Sequence, residues 1–342
     1  MNSISILPVL NYSEFYITNV CNLNCSNCNR LNNYYFSGHQ LWKNYSSVYA
    51  EWGKKLSLTT INILGGEPLL NPSLLEWMSG IRKIWPHANM QVTSNGTRVE
   101  FCDGLYENLL ENNIKLVITT HNRVRHKNII QKLSDNFLKK PVIKKYLNDY
   151  SKWISDAYNK VKSEQWPNCQ TIDDFYLLPD DIQKECRDVH NIDPETYLNE
   201  SGGVIFQDKN DVNVTVEYGE DFVTAPLLFN DGQFSVYNSN PTKAHDVCIS
   251  KFCHHFIRGK LYKCHHVALL PEFMEQFDVN IDCADRELLN SYQPLVVDSN
   301  NTTIQQFVDN IKNEIPQCKL CPSNLIQHSF QSDRNKIKIQ KR

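Results

Sequence analysis

The sequence predicts an α/β fold built on a parallel sheet, followed by a smaller cysteine-rich domain. In the first 120 residues, β-rich segments alternate with segments that carry apolar residues at helical spacing. This alternation is typical of βα units, whose strands lie side by side in a parallel sheet. The second half instead shows short alternating strands and cysteines in two groups.

Length and composition are those of an ordinary globular protein. The chain has 342 residues, 41% hydrophobic and 21% charged, with a formal net charge of −3. This charge favours neither nucleic acid nor an acidic membrane as an obligatory partner, and no run is long enough to span a bilayer. Twelve cysteines without a recognisable signal peptide indicate a reducing compartment, expected to be the cytoplasm, and metal binding rather than disulfides.

Four strands and three helices are predicted over the first 120 residues. The first strand, residues 12–20, delivers a cysteine-containing loop at its carboxyl end. The following strands are predicted at residues 59–64, 90–94 and 115–120, and the helices at 41–56, 72–85 and 105–113.

The alternation ends at residue 123. Residues 123–202 are predicted to be an insertion before the fifth strand, and the pattern over 123–165 is helical, with lysines that indicate a solvated face. Its isolated cysteines, Cys169 and Cys186, receive no function. Beyond it, residues 211–217 alternate as a strand, and two short strands are predicted around the turn at 230–232.

Three cysteines, Cys21, Cys25 and Cys28, follow the first predicted strand. Three thiolates at this spacing can hold three corners of a cubane iron–sulfur cluster, leaving one iron open to a small molecule. A zinc site is one alternative, although zinc usually takes four ligands and no fourth follows at finger spacing. Three inert thiols are another, although free cysteines usually lie in apolar surroundings and this segment is rich in asparagine.

Two turns follow the second and third predicted strands. Gly65 and Gly66, followed by Glu67 and Pro68, end the second strand, where glycines let the backbone approach a ligand closely. Ser94-Asn95 ends the third strand. For these two residues alone, a plain strand-ending turn explains the sequence equally well.

Together these motifs resemble the radical S-adenosylmethionine (SAM) superfamily, whose cluster loop has the spacing C-x3-C-x2-C. The resemblance implies a partial (β/α)6 TIM-like barrel and a [4Fe–4S] cluster on Cys21, Cys25 and Cys28, whose open iron chelates SAM. It also implies an electron donor such as a flavodoxin or ferredoxin, and cleavage of SAM to a 5′-deoxyadenosyl radical that abstracts a substrate hydrogen. Asn27 is a departure, because the family usually has an aromatic residue there, near the adenine.

The same resemblance gives roles to the two turns. Residues 65–68 resemble the element that contacts the methionine amino group, and Glu67 is the carboxylate expected to pair with that ammonium. Ser94 and Asn95 resemble a turn near the ribose of SAM. The predicted cofactor-binding residues are therefore Gly65, Gly66, Glu67, Pro68, Ser94 and Asn95.

Five cysteines of the second half compete for four positions in a second metal site. They are Cys248, Cys253, Cys264, Cys318 and Cys321. Spacing disfavours Cys253, which remains a competitor for the place of Cys248. From these residues alone zinc is favoured over iron–sulfur. Four flanking histidines could ligate iron or hydrogen-bond to sulfur, although most are expected to face solvent. They are His254, His255, His265 and His266.

With a radical SAM core ahead of it, this region resembles the SPASM/Twitch extension of that superfamily. The match consists of Cys248, the G-x4-C motif from Gly259 to Cys264, and the C-x2-C pair at Cys318 and Cys321. No further cysteine follows, so the Twitch form with one auxiliary [4Fe–4S] cluster matches better. The predicted domains are a core at 10–235, an auxiliary-cluster domain at 236–325 and a basic tail at 326–342.

The expected function is that of a radical SAM enzyme, either an oxidoreductase or an enzyme that modifies a peptide or small molecule. Its auxiliary cluster would take an electron or bind substrate. Substrates of similar proteins are peptide side chains or amino- and sugar-alcohols. No residue is assigned as a catalytic acid, base or radical relay. The alternative is a non-enzymatic zinc-binding interaction protein, against which the glycine turn and the βα alternation speak.

Overall fold

The structure is a computed structural model that describes residues 7–25, 27–139, 142–147, 184, 203–219, 221–223, 227–230, 233–277, 279, 281–325 and 327–329. The chain forms two compact units, the first comprising Met1–Leu116 and Glu220–Arg342 and the second Val117–Gly219. Both groups of predicted metal-binding cysteines therefore belong to the first unit. Within the described residues, no helix is long and apolar enough to cross a membrane.

Strands and helices alternate as predicted in the first part of the chain. The strands are β1 (Val9–Tyr16), β2 (Ser57–Leu64), β3 (Asn89–Ser94), β4 (Ile114–Thr120), β5 (Val142–Leu147), β6 (Gly203–Gln207), β7 (Asn213–Tyr218), β8 (Asp221–Val223), β9 (Leu228–Asn230), β10 (Gln233–Ser235), β11 (His255–Ile257), β12 (Lys260–Tyr262) and β13 (Gln327–Ser329). The α-helices are α1 (Ser46–Gly53), α2 (Leu74–Ile84), α3 (Leu105–Glu111), α4 (Arg123–Lys132), α5 (Pro241–Asp246), α6 (His265–Phe277), α7 (Cys283–Asn290) and α8 (Asn301–Asn310).

The sheet of the first unit is mostly parallel, which confirms the predicted α/β class. Its strand order is β12-β11-β1-β2-β3, followed by the start of β4. β1 runs parallel to β2 and to β11, and β2 runs parallel to β3. At the other edge, β12 is antiparallel to β11. Closure of the sheet into a partial barrel stays a prediction.

Aromatic packing holds one face of this sheet. Phe15 on β1 contacts Phe256 on β11 at 4.9 Å and Tyr49 on α1 at 5.2 Å between ring centroids. All three rings are fully buried, and each such side chain removes about 150–250 Å² from water. In the β1–β2 pair, Tyr16 at the end of β1 lies opposite Leu64 at the end of β2. As a result, β1 and β2 end at the same edge, where the cysteine loop and the glycine turn begin.

The second unit contains the end of β4 together with β7, β6 and β5, and the β7–β6–β5 part is antiparallel. The helical prediction is confirmed for α4 but is wrong for residues 142–147, which form β5. Local spacing suggested a helix, whereas pairing with β6 supplies the backbone partners that make this segment a strand. The rest of the predicted insertion, including Cys169 and Cys186, lies outside the described residues except for Lys184.

The second half of the first unit contains two short hairpins, including the one predicted around residues 230–232. β9 pairs antiparallel with β10, and β11 pairs antiparallel with β12. The second hairpin turns at Arg258 and Gly259, whose φ angles are 51° and 74°. Two successive positive φ angles match the twist of a two-residue hairpin. This turn returns the chain so that Cys264 follows β12 directly. The tail beyond Ser329 lies outside the described residues.

Candidate functional site

The N-terminal cysteines lie on a loop that leaves the carboxyl end of β1. Cys21, Cys25 and Cys28 are half-buried. The buried side chain of Asn32 bonds to the start of this loop: its Nδ2 donates to the Asn19 carbonyl at 2.6 Å. Its other amide atom, Oδ1, lies 3.8 Å from the Cys28 sulfur. Asn32 therefore links the start of the loop to its last cysteine.

Asn27 has a backbone reason for its place in the loop. Its φ angle is 56°, in the left-handed region that asparagine adopts far more readily than bulky residues. This conformation immediately precedes Cys28 and turns the chain there. The departure from an aromatic residue is therefore consistent with the local fold of the loop.

The glycine pair packs directly against the cysteine loop. The Gly66 amide donates to the Thr18 carbonyl at 2.7 Å, and the Glu67 amide donates to the Val20 carbonyl at 2.8 Å. A Cβ atom at Gly66 would lie 2.4 Å from the Val20 oxygen and 3.0 Å from Cβ of Cys21. The close approach that these glycines allow is thus between two backbones of the protein. A contact of Gly65 and Gly66 with SAM stays a prediction, as does one of Pro68.

Glu67 joins the glycine turn to the turn after β3. Its side chain is fully buried, and Oε1 accepts from the Leu69 amide at 3.0 Å and the Ser94 hydroxyl at 2.8 Å. Oε2 accepts from the Asn95 amide at 2.7 Å. Burial raises the pKa of Glu67 to about 7, although these three hydrogen bonds act in the opposite direction. The carboxylate thus links the two turns within the protein, and its pairing with a ligand ammonium stays a prediction.

Asn95 connects the third turn to the cysteine loop. Its Nδ2 donates to Oδ1 of Asn22 at 2.9 Å and lies 4.0 Å from the Cys21 sulfur. Asn22 in turn donates to the Thr97 hydroxyl at 2.8 Å. Three segments that are far apart in sequence therefore meet at the carboxyl ends of β1, β2 and β3.

A chain of hydrogen bonds on the sheet was missed by the sequence reasoning. Thr93 donates to Asn62 at 2.9 Å, Asn62 to Tyr12 at 3.1 Å and Tyr12 to Glu14 at 3.0 Å. Arg30, two residues after Cys28, donates to the other oxygen of Glu14 at 2.8 Å. The available signal was a carboxylate and an amide inside otherwise apolar strands, since buried polar groups need partners.

The C-terminal cysteines surround a mainly apolar cavity. Cys248 follows α5, Cys264 follows β12, and Cys321 follows the short 3₁₀ helix Pro316–Leu320. These three thiols line a cavity of about 60 Å³ that is partly open to solvent. Asn29, the residue after Cys28, lines the same cavity. The two cysteine groups are thus neighbours in the first unit.

Electrostatic interactions separate one set of four thiols from the fifth. Burial raises the pKa of Cys321 well above its usual range, and the charges of Cys264, Cys248 and Cys318 raise it further. Cys253 instead has Glu14, Arg30 and Cys248 as its charged neighbours, and burial raises its pKa to about 11.

The chemistry of this donor set fits a metal centre. Four mutually repelling thiolates cannot all ionise in a buried site unless a cationic metal centre compensates their charge. Among the described residues, no group of three or more His, Cys, Asp or Glu side chains has the compact arrangement of a ready-made metal-ion site.

The four histidines beside these cysteines are all buried, so the expectation that most face solvent is wrong. His266 Nδ1 lies 3.0 Å from the Cys321 sulfur, and His254 Nδ1 lies 2.8 Å from the Lys263 carbonyl. His255 Nε2 lies 3.1 Å from Oε2 of Glu14, and the rings of His255 and His265 are 5.3 Å apart. Burial lowers the pKa of His266 to about 4, so this imidazole is neutral at pH 7.

Lys263 places a buried ammonium next to the same cysteines. Its Nζ donates to the Ile311 carbonyl at 2.6 Å, and no carboxylate in the described part of the chain forms an ion pair with it. Burial lowers the pKa of Lys263, whereas the thiolates of Cys264, Cys318 and Cys248 raise it. The thiolates are therefore the charged groups that favour the protonated form of Lys263.

Comparisons with known proteins give only distant matches. No protein-family model and no curated protein sequence matches the chain. Among solved structures, it is similar to Streptococcus suis SuiB bound to S-adenosylmethionine, with 19% identity over 33% of this chain and 25% of that chain and a TM-score of 0.28. SuiB bound to its precursor peptide SuiA matches with 18% identity over 33% and 24% of the two chains and a TM-score of 0.28.

BtrN in complex with AdoMet and 2-DOIA matches with 11% identity over 94% of this chain and 100% of that chain, at a TM-score of 0.34. The match to SuiB covers only about a quarter of the SuiB chain. At these TM-scores the matches do not establish a shared fold.

Proposed function

We propose that this chain is a radical SAM enzyme with an auxiliary [4Fe–4S] cluster. The observation that carries the proposal is the meeting of three motifs at one edge of the sheet. Gly66 and Glu67 bond to the backbone of the cysteine loop, and the Glu67 carboxylate holds Ser94 and Asn95. A zinc scaffold has no need for a glycine turn and an asparagine turn fixed beside three thiols.

In this proposal, Cys21, Cys25 and Cys28 hold the first cluster. When bound there and reduced, that cluster supplies the electron that cleaves SAM to methionine and a 5′-deoxyadenosyl radical. The glycine pair fixes the cysteine loop against β2, and Glu67 positions the adjoining turn. Asn95, close to the Cys21 sulfur, is available to contact SAM beside the open iron.

Cys248, Cys264, Cys318 and Cys321 hold the auxiliary cluster. Their mutual electrostatic interaction and the cavity that three of them line support this choice over Cys253. A cluster held by these thiols would supply an electron acceptor for the substrate radical or an iron that binds substrate. A flavodoxin or ferredoxin would supply electrons to the first cluster. The substrate is a peptide side chain or a small amino- or sugar-alcohol.

Anaerobic reconstitution followed by metal analysis tests the proposal. We expect about eight irons per chain, as two [4Fe–4S] clusters require, and release of 5′-deoxyadenosine when SAM and dithionite are added. Replacing Cys21, Cys25 and Cys28 together by alanine should leave about four irons and abolish 5′-deoxyadenosine. The exposed Cys283 gives the matched control, since Cys283→Ala should change neither.

Zinc without iron would contradict the enzyme and support a zinc-binding interaction protein. Iron that remains at about eight atoms in the triple variant would show that the first cluster is not held by these thiols. Wild-type protein that carries both clusters but releases no 5′-deoxyadenosine would contradict the assigned activity.

A further inference from the structure

We propose that Lys263 and His266 raise the reduction potential of the centre held by Cys248, Cys264, Cys318 and Cys321. This inference rests on the auxiliary cluster of the proposed function and deepens it. Neither residue is a ligand in that assignment. Lys263 acts on the reduction potential through its charge, and His266 acts on it through a hydrogen bond.

His266 supplies a hydrogen bond to one sulfur of the set. Its Nδ1 is 3.0 Å from the Cys321 sulfur, within the range of a hydrogen bond to sulfur. In the described residues its other ring nitrogen, Nε2, is buried and has no hydrogen-bond partner. The tautomer of His266 that carries its proton on Nδ1 donates to the Cys321 sulfur, and such a hydrogen bond draws electron density from a metal-bound thiolate.

Lys263 supplies a positive charge in the same buried region. The residue is 5% exposed, yet the hydrogen bond found for Nζ goes to the uncharged carbonyl of Ile311. A buried ammonium is costly unless a negative charge lies nearby. Cys264 is the next residue in the chain, and the thiolates of Cys264, Cys318 and Cys248 interact electrostatically with this ammonium. These thiolates would supply the negative charge when a metal centre keeps them deprotonated.

Both contacts favour the reduced state of such a centre. A [4Fe–4S] cluster with four thiolates carries a net negative charge, and one-electron reduction makes that charge larger by one. A fixed cation and a hydrogen-bond donor stabilise the more negative state most, because their interaction grows with the charge they face. The reduction potential is therefore higher than that of the same centre without them.

Potentiometric titration of the reconstituted full-length protein, followed by electron paramagnetic resonance, tests this inference. Lys263→Met removes the charge with little loss of volume, and His266→Phe removes the donor. Both variants should move the midpoint potential of the second centre to more negative values. Lys263→Arg keeps the charge and His266→Asn keeps a donor near Nδ1, so both should stay closer to the wild-type potential.

Lys260→Met is the matched control, because Lys260 lies on the same hairpin but is exposed. Its potential should equal that of the wild type. About eight irons with an unchanged midpoint in both Lys263→Met and His266→Phe would overturn this inference and leave the proposed enzyme intact. A wild-type chain that binds only about four irons, all of them lost when Cys21, Cys25 and Cys28 become alanine, would overturn both this inference and the auxiliary cluster.

Discussion

Replacing Gly66 by alanine tests how the glycine turn holds the cysteine loop. The added methyl group would lie 2.4 Å from the Val20 oxygen and 2.7 Å from the Val20 carbonyl carbon. Ordinary contacts between such atoms start near about 3.5 Å, so the two backbones must separate by about 1 Å. Overpacking of this kind costs about 1–3 kcal/mol. A shift of about 1 Å near reacting groups can lower a rate by about 100-fold.

The assay for Gly66→Ala combines urea unfolding, iron analysis and 5′-deoxyadenosine release. We expect a lower unfolding midpoint, incomplete occupancy of the first cluster and about 100-fold slower SAM cleavage. Gly219→Ala is the control, because a Cβ atom there meets nothing within 4 Å. An unchanged midpoint together with full iron content and full activity in Gly66→Ala would refute the close-packing argument.

The remaining predictions concern a buried carboxyl, a strained backbone position and the choice among thiols. The pKa of Glu67 is raised from 4.5 to about 7 in the folded state, so folding retains a proton that the unfolded chain releases between these values. The Glu67 contribution to stability should therefore fall by about 3 kcal/mol as pH rises through this window. Urea unfolding of the metal-free protein should show this slope in the wild type and not in Glu67→Gln; equal slopes would contradict it. Asn27→Ala should lose about 1 kcal/mol because of its left-handed backbone, whereas Asn27→Gly should not; equal unfolding midpoints for these two variants would contradict that reason. Cys248→Ala should lose about four irons and Cys253→Ala none, and the reverse result would exchange their roles.

Local sequence patterns predicted the parts of the fold that depend on neighbouring residues in the chain. The alternation of strands and helices predicted a parallel sheet, because each element's periodicity is set by its own buried face. The same reasoning failed at β5, where helical spacing was overridden by pairing with β6. Strand pairing over such a sequence distance leaves little local signal.

The histidines show a second limit of local patterns. Each of His254, His255, His265 and His266 looks like a surface residue in a polar cysteine-rich segment, yet each is buried. Burial depends on what packs over a side chain, which spacing does not encode. The ion pair between Glu14 and Arg30 shows the same limit, because it joins a strand to the cysteine loop.

The sequence by itself determined the chemistry available to this protein: three thiols at one end, five at the other, and glycine and asparagine turns after buried strands. Tertiary structure decided which of these groups interact. It buried the Glu67 carboxylate, gave Cys253 the charges of Glu14 and Arg30 as neighbours in addition to Cys248, and buried Lys263 beside Cys264. Charge and burial act through space, and the distances between residues far apart in the chain are fixed only when the sheet and its helices pack.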